Sequence, residues 1–408
     1  MLYRLKDMGY EAHLVGGGVR DLLLGREPKD FDVATDATPE QVKEVFRNCR
    51  LIGRRFRLAH VRFGGEIIEV ATFRAGQPVE DQGEHQTDNG MLLRDNVYGN
   101  IEEDALRRDF TVNALYYNIR DFSVIDYANG MQDLRDGLLR LMGDPETRYR
   151  EDPVRMLRAA RFSAKLGFRI EPATEAPMHA LADLLAEVPA ARLFEEVLKL
   201  FLSGHAVGSF EKLRQHGLFG QLFPDTEEAL ATQEHEFPHT LVLKGLENTD
   251  ARVTEGKPVT PAFLFAVLLW EPVRLRWLAL QGEGVAPYAA LHAATGDILD
   301  RQLTRVSIPR RFSTPMREIW TLQSRFVHTK GKRPHRLAAH PRFRAAYDFL
   351  LLRVAAGEAD PELAQWWTDF QGSGDAPAAE PEASDAPRKS RRRRGGRRRR
   401  KPDSGGGD

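Results

Sequence analysis

Asp30 and Asp32 form an Asp-x-Asp pair in the run Lys29-Asp30-Phe31-Asp32-Val33. In a β-strand residues i and i+2 share a face, so both carboxylates would project together while Phe31 and Val33 point into a core. Carboxylates about 6–7 Å apart along a strand can bridge two metal ions roughly 3.5–4 Å apart. Oxygen donors of this kind suit Mg2+ or Mn2+ better than zinc. Alone, such a pair is equally the mark of a solvated acidic strand. Just upstream, however, stands Leu14-Val15-Gly16-Gly17-Gly18-Val19-Arg20-Asp21, an apolar run that enters three glycines and a helix start. Gly16 and Gly17 let the backbone approach a chain of phosphates, and a helix beginning near Val19 presents free N–H groups to it. Arg20 is placed to neutralise phosphate charge. Phosphates held beside paired carboxylates are what nucleotidyl transfer requires.

Two-metal transfer usually wants a third carboxylate from an adjacent strand. Glu69 offers one, a single charge inside the β-prone run Ile67-Ile68-Glu69-Val70-Ala71; there it must be paired, bound to metal or turned outward. Further along, Arg107-Arg108-Asp109-Phe110-Thr111-Val112-Asn113-Ala114-Leu115 puts Asp109 and Asn113 on one face if it is helical, i to i+4. That face could meet a nucleotide sugar, with Arg108 near the phosphates. In Glu151-Asp152-Pro153-Val154-Arg155-Met156-Leu157-Arg158-Ala159-Ala160-Arg161-Phe162, Asp152 can cap a helix with Pro153 at its first position and Arg155 paired to the cap. A cap does not require Arg158 and Arg161 on neighbouring faces. The chemical reading is an Asp152–Arg155 pair that hydrogen-bonds the edge of a base, with Arg158 and Arg161 meeting phosphate.

Positioning these groups takes strands first and helices later. Residues 1 to about 140 read as α+β, with β-rich runs at Ala12–Val15, Phe31–Ala34, Ala59–Phe63, Ile67–Phe73 and Ser123–Tyr127 broken by Gly, Pro and Asp. Between them Thr38–Asn48 reads as a helix, with Thr38 as cap and Pro39 at its first position. Residues 77–100 have the composition of a mobile loop. From Glu151 to about Phe370 the spacing is helical, and Pro189, Pro224, Pro261, Pro309 and Pro341 mark helix starts. Past Gln371 the chain turns to Gly, Ala, Pro, Ser and Glu and then to arginine blocks, so disorder is expected.

The chain has 408 residues, 42% hydrophobic and 29% charged, room for two or three globular domains. It has no apolar run of membrane-spanning length, and Met1 to Tyr10 lack the apolar core of a signal peptide. The single cysteine, Cys49, excludes a disulfide framework and a cysteine-rich zinc site. These features make a cytoplasmic protein the expectation. The net charge of zero conceals a polarity. Residues 388–408 carry 11 Lys or Arg against two acids, and residues 1–387 carry 48 basic against 57 acidic. Arg391, Arg392, Arg393, Arg394, Arg397, Arg398, Arg399 and Arg400 make the tail a phosphate-binding segment whose contacts should be strongly salt-dependent.

The four ordered blocks resemble the class II nucleotidyltransferases of the polymerase β superfamily, which comprise bacterial poly(A) polymerase and CCA-adding enzymes. The resemblance covers residues 10–200 most strongly. Gly16–Asp21 with Asp30 and Asp32 is similar to the family's first motif, and Arg107–Leu115 to its sugar-and-metal motif, in which Asp109 falls on a position treated as catalytic. Tyr127–Leu134, with Gly130 and Asp133, resembles the hinge-like third motif, and Glu151–Phe162 the motif that selects the incoming base without a template. The blocks Arg47–Val61 and Gly143–Arg150, the helical region, including Pro261–Leu268 and His340–Leu352, and the arginine tail are similar to the poly(A) branch. The tail argues physically the same way, since an enzyme that tails arbitrary RNA gains from a basic segment, whereas CCA addition measures a compact tRNA end. Members usually carry a longer N-terminal segment, while this chain opens mid-helix at Met1-Leu2-Tyr3-Arg4-Leu5; either translation starts upstream or this member lacks that segment.

The resemblance implies an α+β fold. A polymerase β-like nucleotidyltransferase head of mixed small sheet and helices occupies 1–140, an all-α neck with the base-recognition motif 141–205, a helical RNA-binding body 206–370 and a disordered basic tail 371–408. It implies transfer of AMP from ATP to RNA 3′ ends, with tRNA CCA addition as the alternative. Asp30 and Asp32 would hold Mg2+ or Mn2+ with Glu69 or Asp109 as third ligand. Gly16, Gly17, Arg20, Arg108, Asn113, Asp152, Arg155, Arg158 and Arg161 would hold the nucleotide. Expected partners are the 3′ ends of messenger RNA, regulatory RNA and decay intermediates, with RNA degradation machinery or an RNA chaperone as candidate proteins.

Overall fold

The β-prone runs pair into one seven-stranded mixed sheet in a computed structural model that describes residues 1–53, 57–75, 97–233 and 240–373. Its strands are β1 (Ala12–Val15), β2 (Asp32–Thr35), β3 (Cys49–Ile52), β4 (Leu58–Phe63), β5 (Glu66–Thr72), β6 (Leu115–Asn118) and β7 (Val124–Asp126), in the order β3-β4-β5-β2-β1-β6-β7. Within this sheet β2 and β5 run parallel and the other neighbours antiparallel. Strand β2 is covered on both faces, as a strand in a parallel pair commonly is. Val33 packs with Leu5, Val42, Phe46, Val61 and Val70, and Ala34 with Val15, Phe73, Ala105 and Tyr116.

Helices α1 (Leu2–Asp7), α2 (Gly17–Leu23), α3 (Pro39–Val45) and α4 (Ile101–Arg107) belong to this part. Helix α3 starts as its sequence requires, with Thr38 and Gln41 capping each other's backbone N–H and Pro39 at the first position. Asn100 and Glu103 do the same for α4. Such a cap stabilises a helix by about 1 kcal/mol.

Three local expectations are corrected. Strand β2 begins at Asp32, so Asp30 precedes the strand and Phe31, 40% exposed, does not enter the core. Arg107–Leu115 is not a helix: α4 ends at Arg107, Thr111–Asn113 makes one 3₁₀ turn, and the chain continues into β6. Strands β3 and β6 fall where no strand was expected: each has only four residues, and β6 starts at the last residue of the block read as a helix. Most of the 77–100 run, residues 54–56 of the Arg47–Val61 block, and the tail from 374 onward with Arg391–Arg394 and Arg397–Arg400 lie outside the described residues.

After the sheet come α5 (Gly130–Asp136), α6 (Pro145–Glu151) and α7 (Val154–Leu166), and a small parallel pair β8 (Leu138–Leu139) and β9 (Arg169–Ile170). Helices follow to Gly372, and Pro189, Pro224, Pro261 and Pro309 stand at or one residue before their first positions. One hydrophobic core runs from Val19 and Phe110 beneath the sheet, through Met156 and Phe162 of α7, to Phe194, Phe265 and Trp320. Helix α7, which carries the last sequence block, packs against β8, β9 and the helices Ala190–Phe201 and Ala206–Gln215, and its Phe162 meets the Phe110 ring at 5.8 Å. Among the described residues no helix is long and apolar enough to cross a membrane.

Candidate active site

The glycine turn is held against the aspartates. Gly16 has φ 74° and ψ −137°, a backbone region that side chains with a Cβ avoid. A Cβ placed there would lie 3.6 Å from Nη1 of Arg108 and 3.9 Å from Oδ2 of Asp32. A Cβ placed at Gly18 would lie 3.4 Å from the backbone carbonyl oxygen of Asp30 and 3.4 Å from the ring of Phe31. So the turn, the Asp pair and Arg108 converge although the chain reaches Arg108 only after four further strands.

The third carboxylate is set by register. In the parallel β2/β5 pair Asp32 stands opposite Glu69, and across β4/β5 Glu69 stands opposite His60. Glu69 Oε1 is 3.1 Å from His60 Nε2. Burial, then the negative charges of Glu69 and Asp30, raise the Asp32 pKa, with Arg108 opposing. A half-buried carboxylate pressed by two like charges is one that a divalent cation would relieve. Oxygen donors from Asp30, Asp32 and Glu69 fit a hard cation. Among the described residues no three His, Cys, Asp or Glu side chains are gathered at metal-binding distance.

Arg108 is aimed by a clamp that its sequence block did not disclose. Its Nε donates to the Tyr116 hydroxyl at 2.8 Å and its Nη2 to Asp104 Oδ2 at 2.9 Å; the Tyr116 hydroxyl donates to the same Asp104 oxygen at 2.6 Å. Burial opposes the Arg108 charge, but Tyr116 and Asp104 outweigh it and raise its pKa. Burial likewise opposes ionisation of Asp104, and Arg108, Tyr116 and Arg74 hold it below the usual carboxylate range. Asp104 and Tyr116 are 1% and 0% exposed. The one local signal is Asp104 inside an otherwise ordinary amphipathic helix, four residues before Arg108.

Arg20 and Asp109 sit one layer further in. Arg20 is 2% exposed, bound through Nε and Nη2 to Asp21 Oδ1 at 2.8 and 2.6 Å and through Nη1 to Asn113 Oδ1 at 2.5 Å. Asn113 Nδ2 donates to Asp109 Oδ1 at 3.0 Å, and Arg158 Nε donates to Asp109 Oδ2 at 2.7 Å. The Asp109–Asn113 contact expected of a helix is thus made by a tight turn. The relay Asp21–Arg20–Asn113–Asp109–Arg158 ties α2, the 109–113 turn and α7 together. The turn itself is pinned from outside: Thr111 Oγ1 donates to Asp133 Oδ2 at 2.7 Å, and a Cβ at Gly130 would collide with the Thr111 carbonyl oxygen.

At the start of α7 the ion pairs differ from the capping arrangement. Asp152 Oδ2 accepts from Arg192 Nη2 at 2.7 Å, while Arg155 Nη1 donates to Glu151 Oε2 at 2.9 Å and to the Arg148 carbonyl at 2.5 Å. The Asp152 side chain still reaches the Val154 N–H, at 3.3 Å, so it retains part of the capping role. Arg192, from helix Ala190–Phe201, is invisible to local spacing because it lies 40 residues away. Around Phe162 three guanidinium groups gather: Arg161 at 4.3 Å from the ring centre, Arg20 at 5.1 Å and Arg158 at 5.4 Å. Arg20 and Arg158 have carboxylate partners; Arg161 has none among the described residues, and its Nε is buried without a hydrogen bond. Burial, reinforced by the Arg158 charge, pushes the Arg161 pKa down to about 10.

Three family descriptions match the chain: a poly A polymerase head domain over residues 12–140, a probable RNA and SrmB-binding site of polymerase A over 167–230, and a polymerase A arginine-rich C-terminus over 283–401. The chain is similar to the poly(A) polymerase I of Salmonella typhi, 53% identical over 380 residues, which is 91% of this chain and 82% of that one. A CCA-adding enzyme of Lactobacillus helveticus is 38% identical over 211 residues, 52% of this chain and 51% of that one. Among solved structures, the Bacillus stearothermophilus CCA-adding enzyme in complex with CTP superposes with a TM-score of 0.58 at 27% identity, covering 91% of this chain and 80% of that one.

Proposed function

The chain belongs to the poly(A) polymerase family, and we propose that it adds AMP from ATP to RNA 3′ ends without a template, in the cytoplasm, on messenger RNA, regulatory RNA and decay intermediates. The observation that carries the reading is the parallel β2/β5 register, which sets Glu69 beside Asp32 under the Gly16 turn and the Arg108 guanidinium. The poly(A) relative matches through the helical body, whereas the CCA-adding relative matches about half of the chain, and this favours tailing over CCA addition.

In this reading Asp30, Asp32 and Glu69 hold Mg2+ or Mn2+. Divalent metal bound there would supply activation of the RNA 3′-hydroxyl and neutralisation of the departing pyrophosphate. Gly16, Gly17 and Arg108 face the triphosphate. Asp109 serves as the internal brace of the sugar-binding turn, because both of its oxygens are already engaged. Arg20 and Asn113 brace the same turn from α2. Asp152 and Arg155, preset by Arg192 and Glu151, present the groups that read adenine. Arg161 is the cation left to meet phosphate. Residues 1–140 would carry the transfer chemistry, 141–205 base selection and 206–370 RNA binding.

The tail residues Arg391–Arg394 and Arg397–Arg400 would hold RNA through its backbone. Removing 388–408 should weaken RNA binding and flatten its salt dependence, by about 0.7 unit of slope for each single-strand phosphate that the tail neutralises. The site assignment is tested with Asp30→Ala, which should abolish turnover while leaving the melting temperature unchanged. Substantial residual activity would remove Asp30 from the site.

A further inference from the structure

A second feature concerns RNA and lies far along the chain from the reacting groups. Residues 1–387 are acidic overall, yet Ile319 to Tyr347 contain seven Lys or Arg and no Asp or Glu. This stretch is folded. It spans the end of helix Arg310–Gln323, the short helix Arg333–Ala338 and the start of helix Phe343–Ala355. Leu322, Phe326, Leu337, Phe343 and Trp367 hold it together from beneath, and the Trp367 indole N–H donates to the Phe326 carbonyl at 2.9 Å.

The charged side chains face outward. Arg325, Lys330, Lys332, Arg333 and Arg336 are all exposed, and none has a carboxylate partner among the described residues; Arg333 only donates to the His328 ring, at 3.4 Å. Five unneutralised cations within one turn-and-helix unit repel one another, and a polyanion removes that repulsion. Aromatic surface lies beside them. The half-buried rings of Trp366 and Phe370 stack at 5.2 Å with 11° between their planes, and the His335 ring meets Phe370 edge-on at 5.1 Å. Cations flanked by π-faces are the pairing that single-stranded nucleic acid takes, phosphates on the one and unstacked bases on the other. Phe370 lies in the helix Pro361–Gly372, directly after which the chain continues toward its arginine tail.

We propose that Arg325, Lys330, Lys332, Arg333 and Arg336, with the Trp366–Phe370 edge, form a folded docking surface for the backbone of single-stranded RNA, next to the point from which the basic tail departs. This deepens the RNA-tailing reading and rests on it. The surface would hold the body of an RNA whose 3′ end is in the site.

The test uses the full chain and the triple variant Lys330→Ala, Lys332→Ala, Arg336→Ala. Binding of a fluorescein-labelled 20-nucleotide oligoadenylate is measured by anisotropy across a KCl series, without nucleotide. With three phosphates no longer neutralised, the slope of log affinity against log salt should fall by about 2 units, while AMP addition to a trinucleotide primer keeps the parental rate. A duplex of equal length should compete less well than the single strand. An unchanged salt slope, or equal competition by the duplex, overturns the proposal. The two readings fail separately: RNA binding with the patch-dependent slope but no AMP transfer by the parent would sink the tailing reading alone.

Discussion

Arg158 and Asp109, 49 residues apart in sequence, meet with the arginine Nε 2.7 Å from the carboxylate Oδ2, while Asn113 and the Phe110 N–H occupy the other oxygen. This pair joins the turn after α4 to α7, and so links the two sequence blocks proposed to meet the sugar and the base. Burial works against the Asp109 charge, but Arg158, Asn113 and the Phe110 N–H outweigh it and hold its pKa well below the usual carboxylate range.

Breaking that join should cost stability. Arg158→Met leaves Asp109 ionised and short of its charged donor, for about 2–3 kcal/mol by urea unfolding. Asp109→Asn combined with Arg158→Met should recover part of the loss. The pH dependence follows from a folded pKa below the unfolded one: the Asp109 contribution is present above about pH 4 and fades as pH falls further, through the depressed value. Asp109→Asn should therefore flatten the acid limb of the stability curve below about pH 4, measured by thermal melts; an unaltered limb would show the pair to be energetically idle.

Asp32 has the opposite sign. Its folded pKa is raised by burial and by Glu69 and Asp30, so its ionised form is a strain on the fold at neutral pH that is relieved as pH falls. Asp32→Asn should keep or raise the melting temperature at pH 7 while lowering AMP transfer at least about a hundredfold. Mg2+ or Mn2+ should stabilise the parent in melting experiments and not this variant. A variant that melts lower, or still responds to the metal, would contradict the site.

Tyr116→Phe removes one arm of the Arg108 clamp. Loss of its hydrogen bonds should cost about 1 kcal/mol of stability. A loosened Arg108 should raise KM for ATP several-fold with a smaller change in kcat, the pattern of weakened ground-state binding. Equal losses in kcat for every substrate, with KM unmoved, would make Tyr116 merely structural.

Arg161 is a half-buried cation whose Nε is buried without a hydrogen bond and which has no carboxylate partner among the described residues, and its lowered pKa means that the protein tolerates the charge at a cost. Arg161→Met should leave the melting temperature unchanged or higher, since well-packed apolar replacements of buried charge commonly do, while kcat/KM falls about tenfold. Inorganic phosphate should stabilise the parent more than the variant. A destabilised variant with full activity would assign Arg161 to packing.

What can be read from sequence is local. Glycine turns, the Thr38 cap and most proline-marked helix starts depend on neighbours within four residues and stand where they are expected, but Pro341 lies two residues before its helix and α2 opens at Gly17 rather than near Val19. Glu69 stands out because a lone charge in an apolar β-run needs a reason, but only strand register could put it opposite Asp32. Long-range partners leave no local trace: Arg192 for Asp152, Tyr116 for Arg108 and Arg158 for Asp109 are chosen by packing. The 107–115 block reads falsely as a helix because a 3₁₀ turn brings Asp109 and Asn113 together as a helical i, i+4 spacing would. The basic surface at 325–336 is hidden by averaging, because whole-region charge counts merge it with an acidic remainder.

The most direct measurement is primer extension with the purified full chain, Mg2+, and each nucleoside triphosphate offered singly to a generic RNA and to a tRNA lacking its CCA end. The account predicts a long ladder with ATP alone on the generic RNA, absent from Asp32→Asn. Addition of CTP and then ATP, stopping after the CCA end on the tRNA alone, would contradict it.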